Sequence, residues 1–428
     1  MRSCIRIRPA GEGTAVRTER IGTLRIRCPQ RQAVPADELI FLTAFAVLLV
    51  IHCIGNTSLI YSDAAWMDGM YLLKKGMYVL LLVRIVFFAA YRLDELIVLG
   101  IVLLVSAAAF LGGGDDTLLE LFLIAAAAKG ISPRRLVTWF AVIKGAAMVL
   151  TPLLWKLGLL PALYYQNGSG SYNTYGFCHR NVVGANLVIL CMAWFWLRYR
   201  RLRLSDVIGW TAIGLLSYRL IYSRSCVLVI LLISIAVYAF RRTEHVFFRH
   251  RSLAGIVGLI FLILLAVSMI GMVFYDPSHS VWSALNTLLT KRLSYANYCF
   301  ETYGLSLFGQ EIPFVSSMQA QTTGEAKLIL DNAYCRAVLC WGVLPSLMYF
   351  CIYGKLLAGA VRTKNGAALI TLLLMAVYGI SERYMLDAYY QFPLIIAFGS
   401  LFSGNPAVIF GKIGKTRVRF VLGSGKTG

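Results

Sequence analysis

Apolar runs of roughly bilayer length recur along almost the whole chain. Their limits read 39–55, 76–91, 96–112, 117–128, 136–155, 182–197, 206–222, 225–240, 252–274, 333–353, 366–381 and 389–404. A helix that spans a bilayer needs roughly 20 apolar residues, so twelve take about 240. The 428 residues hold them with room for loops. Two polar breaks are longer than the rest: 156–181, rich in Gly, Tyr and Asn, and 275–332. The pattern predicts an all-α polytopic integral membrane protein with about 12 transmembrane helices and one large external loop. Segments 1–38 and 405–428 are then basic cytoplasmic tails. Residues 39–274 hold helices one to nine, 275–332 the large loop and 333–404 the last three helices.

Composition sharpens this. Hydrophobic residues make up 59% of the chain and charged residues 14%, against about 25% charged in soluble domains. Mean hydropathy is +0.71. A water-soluble core of this size cannot hide so much apolar surface, and a disordered chain would not carry it. The net charge of +21 raises nucleic acid as a partner. In a membrane chain, the stronger reading places that excess in cytoplasmic loops. With the N-terminus inside, 28 of the 41 Lys and Arg fall in cytoplasmic pieces and 10 in outside pieces and their helix ends. Arg84, Lys144 and Arg336 fall within the membrane, and the acidic residues split 8 inside to 12 outside. Making the short fourth segment non-spanning inverts this agreement, which favours a true span.

The first 38 residues carry eight arginines and no apolar run. They do not form an ordinary cleavable signal and read as a solvated tail, with anionic-lipid contact as the sharper alternative. The ten cysteines are scattered without a CxxC pair. They read as small hydrophobes rather than a disulfide or zinc framework. No GxxxxGK[ST] loop occurs; Gly423–Lys426 is only a fragment of one. That excludes an ATP-driven pump in one chain. The sequence also shows no internal duplication, which weighs against a secondary transporter.

Four constellations can carry chemistry. Tyr175–Asn181, with Gly184, lies at the external mouth of the sixth span. Its groups suit a phosphate or sugar, or equally a polar helix entry capped near Asn181. Tyr218–Ser225 sets Arg219 and Arg224 at an external boundary, against the positive-inside bias. Arginine binds phosphate through a planar fork; snorkelling to headgroups is the alternative. Ser223 and Ser225 there are candidate caps of the eighth helix. The long loop carries His279, Lys291, Arg292, Glu301, Glu311 and the run Leu330–Tyr334. Within it Val281, Trp282, Leu285, Leu288, Leu289 and Leu293 are spaced as an amphipathic helix, on the membrane or over a cavity. The fourth is Ser381-Glu382-Arg383 with Asp387, read first as a local ion pair and second as a pocket wall.

Together these motifs resemble the bacterial polysaccharide polymerases of the Wzy (O-antigen polymerase) type, which share an architecture with the O-antigen ligases. Gly176-Phe177-Cys178-His179-Arg180-Asn181-Val182-Val183-Gly184 is similar to the family's GFxHxNxxG entry to a span. Ser223-Arg224 resembles its SR opening of a later one. Leu285-Asn286, Arg292, Leu307-Phe308-Gly309, Asp331-Asn332-Ala333-Tyr334 and Gly342 resemble its "LN…R…LFG…DNxY…G" run. The likeness covers residues 165–345 in motifs and the remainder in span count. Arg180 stands where the family often has proline, the form the ligases most resemble, so the polymerase reading comes first.

The resemblance implies oligosaccharide repeat units on polyprenyl diphosphate, joined at the outer face of the bacterial cytoplasmic membrane. It implies Arg224 and Arg292 on the donor diphosphate, where fixed cations stabilise a developing anionic leaving group. Asp331 is the first choice of base for the acceptor hydroxyl, with His279, Glu301 and His179 as other external candidates. Arg219, His179, Asn181, Asn332 and Tyr334 are the expected substrate contacts. No metal or other cofactor is called for, since arginine supplies the counter-charge. Partners are the lipid-linked oligosaccharides, membrane lipid, and a flippase and chain-length regulator as candidate proteins, with no nucleic acid. An O-antigen-ligase-like transferase is the second reading. A lipid-linked oligosaccharide flippase or other transporter is the third.

Overall fold

The computed structural model describes residues 36–61, 65–89, 91–167, 170–221, 224–249, 252–401 and 417–418. The two expected basic tails lie almost wholly outside them. The helices are α1 (Ala36–Gly55), α2 (Ala65–Val83), α3 (Leu93–Gly113), α4 (Thr117–Ala127), α5 (Pro133–Lys156), α6 (Arg180–Arg198), α7 (Leu204–Ile221) and α8 (Arg224–Phe247). They continue as α9 (Ser252–Val273), α10 (Ser280–Leu288), α11 (Arg292–Tyr303), α12 (Ser317–Thr323), α13 (Ala333–Arg336), α14 (Val343–Arg362), α15 (Gly366–Tyr378) and α16 (Phe392–Leu401). Between α5 and α6, β1 (Tyr164–Asn167) and β2 (Gly170–Asn173) form an antiparallel hairpin with Tyr164 opposite Asn173.

The architecture is helical and crosses the membrane several times. Seven described helices are long and apolar enough to span a bilayer: α1, α3, α5, α6, α8, α9 and α14. The expected twelve differ from this for local reasons. The second segment begins earlier than read, and α2 carries Asp68, Lys74 and Lys75 before ending in a π-helical turn, Arg84–Phe88. The tenth is broken. Short α13 runs into a π-helical turn, Ala337–Trp341, and Gly342 (φ +88°) restarts the chain as α14. A Cβ on Gly342 would lie 2.4 Å from the Gly309 nitrogen, so only glycine lets the two strands of chain pass. Helices α4, α15 and α16 have 11, 13 and 10 residues. At about 1.5 Å per residue they fall short of a hydrocarbon core of about 30 Å.

Loop and side-chain bonds gather the helix termini into two ends. At one, Ser58 N donates to Gly176 O (2.8 Å), Cys178 N to Asn56 O (2.9 Å) and Ala333 N to Gly379 O (2.7 Å). Asn297 Nδ2 donates to Met272 O at 3.0 Å. We call this the loop end, because residues 275–332 belong to it. At the opposite end Arg84 reaches Asp37 and Lys129, Glu38 reaches Arg135, and Tyr199 reaches Glu244.

The core includes an aromatic layer of Phe261, Tyr334, Tyr349, Phe350 and Tyr353. A buried phenol needs a hydrogen-bond partner. The hydroxyls of Tyr334, Tyr349 and Tyr353 donate to the carbonyls of Ala376, Met385 and Leu372 at 2.7–2.8 Å. These bonds fasten α15 and the turn that follows it to the bundle. Gln391 Nε2 adds a second donor to Met385 O at 2.6 Å. The turn 379–391 is therefore a braced platform inside the loop end.

Candidate functional site

Arg292 is the centre of the loop end. It opens α11 after two residues in the left-handed region, Thr290 (φ 54°) and Lys291 (φ 67°). A β-branched residue there is a genuine outlier, and each such residue costs of order 1–3 kcal/mol. The arginine that follows is the beneficiary. Its Nη2 donates to Glu382 Oε1 at 2.9 Å and lies 3.6 Å from Asp331 Oδ2. Nη1 donates to Thr290 Oγ1 at 2.7 Å. Nε is buried and has no hydrogen-bond partner among the described residues.

Glu382 is supplied by the braced turn and is buried. Its Oε1 also accepts from Ser225 Oγ at 3.3 Å, which brings in the first turn of α8. Burial raises its carboxyl above the ordinary value, and the charge of Asp331 adds to this. Arg292 opposes the shift without cancelling it.

Other charges surround this group. The charges of Arg383 and Asp331 both reach Glu382 and Arg336. Asp115, at the end of the α3–α4 connection, acts on both Arg336 and Arg383. The Arg336 guanidinium lies 4.3 Å from the Phe314 ring centroid. Arg383 is exposed to solvent although it stands among these segments.

His179 borders the cluster as the N-cap of α6. Its Nδ1 accepts from Asn181 N at 3.1 Å, so Nε2 carries the ring proton. Burial, then the charges of Arg180, Lys327 and Arg383, push it down to about 4. The ring is therefore neutral at ordinary pH.

The sequence-derived candidates separate clearly. Asp331 and Arg292 come together. Arg224 begins α8 one residue before Ser225, but its side chain, like Ser223, lies outside the described residues. His279 and Glu301 are exposed on the outer side of α10 and α11. Arg219 is exposed in the last turn of α7. Asn181 supplies the backbone N–H that His179 caps. Asn332 is engaged structurally: its Oδ1 accepts from Cys335 N and its Nδ2 donates to Ser268 Oγ, both at 3.0 Å. Tyr334 is in the aromatic core. These last two position the chain around Asp331 rather than line a surface.

Sequence reasoning named Glu382 and Arg383 as a local ion pair or a pocket wall, and Arg336 as an intramembrane charge, without placing them beside Arg292. The available signal was two adjacent charges in a short turn between strongly apolar runs, where isolated charge is costly.

Two intramembrane cations also resolve. Arg84 donates to the carbonyls of Ala127, Lys129 and Asp37, so it closes the C-terminus of α4. Lys144 is fully buried; its Nζ donates to Asn186 Oδ1 at 3.0 Å and sits 3.9 Å from the Tyr390 ring centroid. Nearby, Glu120 accepts from the hydroxyls of Tyr78 and Tyr389 and lies 3.4 Å from Lys74 Nζ. Among the described residues no three His, Cys, Asp or Glu side chains are grouped to hold a metal ion. Comparison with family models, with curated proteins and with solved structures gives no match to this chain.

Proposed function

We propose that the chain is a polysaccharide polymerase of the bacterial cytoplasmic membrane, with twelve crossings and its loop end outside. It joins oligosaccharide repeat units carried on polyprenyl diphosphate. The observation that carries this reading is Arg292, with a buried unpaired Nε, held over two carboxylates amid Arg336 and Arg383. That set combines anion-binding forks with a group that accepts a proton.

The chemistry is a single displacement. The acceptor hydroxyl attacks the anomeric carbon, and the anomeric C–O bond breaks with its electron pair passing to the diphosphate. Asp331 takes the hydroxyl proton. Arg292, with Arg224 from the adjoining helix start, neutralises the departing diphosphate. The configuration at the anomeric carbon inverts. Glu382 holds the Arg292 fork, and binding of a diphosphate draws the fork partly away from it.

The test is a reconstituted assay with lipid-linked repeat units. Arg292→Ala abolishes polymer, and Asp331→Asn, which preserves shape, reduces it severely at unchanged protein level. Normal polymer from both variants overturns the site. Dependence on added Mg²⁺, after EDTA, overturns the arginine-only account of leaving-group stabilisation.

A second reading, a flippase for the same lipid, is favoured by the buried polar groups Lys144, Asn186 and Glu120 within the bundle, with half-buried Lys74 beside Glu120. Intramembrane ionisable groups line transport paths in many carriers. Translocation of a lipid-linked repeat unit across vesicles, without polymer and lost in Lys144→Met, selects this reading over the first.

A further inference from the structure

The nine-residue helix α10 has no buried residue and no role in the site described above. It stands on the protein by one edge only. Trp282, Asn286 and Leu289 are half-buried, and Asn286 pins that edge: its Nδ2 donates to Tyr275 Oη (3.0 Å) and its Oδ1 accepts from Ser294 N (3.1 Å). At 3.6 residues per turn, two other edges remain. One carries Val281, Leu285 and Leu288, exposed by 57%, 40% and 78%. The other carries the exposed Ser283 and Thr287.

We propose that α10 lies in the membrane interface, with the Val281–Leu285–Leu288 edge in contact with lipid and the Ser283–Thr287 edge in water. Three observations select lipid as the occupant. The apolar edge continues a surface already given to lipid: Val267, Ile270 and Phe274 are exposed along the last turns of membrane-spanning α9 and just beyond it. Only six residues separate the end of α9 from the start of α10, so the helix starts close to the bilayer surface. The Tyr275 and Trp282 rings lie edge to face at 6.4 Å at that level, the pairing of aromatic residues expected at the headgroup boundary. The helix itself carries no charge to oppose partial immersion.

The placement has a structural consequence. From Leu288 the chain passes through Leu289 and the left-handed Thr290–Lys291 pair directly into Arg292. An interfacial α10 holds that strained turn from the membrane side, while Glu382 holds it from the protein side.

The test needs no enzymatic activity, and so stands apart from the polymerase reading. A benzophenone amino acid is placed singly at Val281, Leu285, Leu288, Ser283 and Thr287 in the full-length protein, in vesicles of phosphatidylethanolamine and phosphatidylglycerol. All five sites are exposed, so the fold tolerates them. Irradiation is expected to give phospholipid adducts, read by mass, at 281, 285 and 288 and none at 283 and 287. Equal labelling of both edges, or none at either, overturns the proposal. Crosslinks from the apolar edge to a second copy of the chain also overturn it, by naming a different occupant.

Discussion

The two ends of the bundle use charge in opposite ways. At the end opposite the loops, several charges meet nearby structural partners. Arg84 serves three carbonyls at the end of α4. Lys129 meets Glu95 at 2.5 Å, Arg241 meets Glu244 at 2.6 Å, and Asp206 receives Trp194, Arg198 and the Arg203 N–H. Most of these partners are neighbours in sequence or on adjacent helices. At the loop end, charges arrive from α11, the approach to α13, α13 itself and the 379–391 turn. They leave Arg383 open to solvent, while the buried donor left on Arg292 Nε has a counterpart at the other end in Arg198 Nε. An end that merely closes helices satisfies its groups locally. The loop end instead gathers cations from distant segments, which is the basis of the proposed site.

The largest effect that tests this contrast is at the structural end. Arg84→Met strips partners from the carbonyls of Ala127, Lys129 and Asp37. Removing one side of a buried charged arrangement costs about 3–5 kcal/mol. Chemical unfolding in detergent reads the loss, while activity per folded molecule stays unchanged. Lost activity at full stability would place function at that end and collapse the comparison.

Next in size is Arg292→Ala. Removing one preorganised donor from a developing oxyanion costs about 10²–10³ in rate. The variant also loses stability, because the buried Glu382 carboxyl is left without its cation, so activity is read per folded molecule. Lysine at 292 restores activity only in part, since it lacks the fork. A variant that is inactive because it unfolds would move Arg292 to the structural class.

Glu382→Gln gives a smaller effect with a distinctive sign. The Glu382 carboxyl is raised in the folded protein, so its contribution to stability is full below the ordinary carboxyl range. It is lost as pH rises through the elevated value. Glutamine is always neutral. The stability of the variant relative to the parent therefore increases from pH 5 to pH 8.5 in a thermal-unfolding series. A difference that stays flat with pH means that Arg292, not burial, sets the charge of Glu382.

Much of this contrast was legible in the residues and some was not. The helices were, because period and length of apolar runs report them directly. The loop-end glycines were named as motif positions, and their reason is close backbone passage at Gly309 and Gly342. Arg292 and Asp331 were legible as charges in one external loop. Their partner was hidden, because Glu382 is separated from them by more than 50 residues and reads locally as a salt bridge with Arg383. Tyr334 and Asn332 lie next to Asp331 in sequence, but α13 turns them into the core, and no spacing rule reveals which side of a four-residue helix faces inward. The apolar runs of α4, α15 and α16 were legible as well, but not that their helices stop at 11, 13 and 10 residues.

The smallest effect concerns His179, at the edge between helix and cluster. Its ring caps α6 only as the neutral form, since Nδ1 must accept the Asn181 N–H. Burial and the charges of Arg180, Lys327 and Arg383 hold it down to about 4, below an ordinary value of 6.5. A group depressed on folding contributes stability that is full above the unfolded value and lost as pH falls through the folded one. At pH 5 the loss is about 2 kcal/mol. His179→Asn keeps a strong N-cap and removes the titration. Between pH 7 and pH 5, in detergent, the parent is expected to lose more stability than this variant. The excess slope reports first the burial of the ring, to which the charges of Arg180, Lys327 and Arg383 add. Parallel slopes mean that the ring is solvated and its charge state is not set by the loop end.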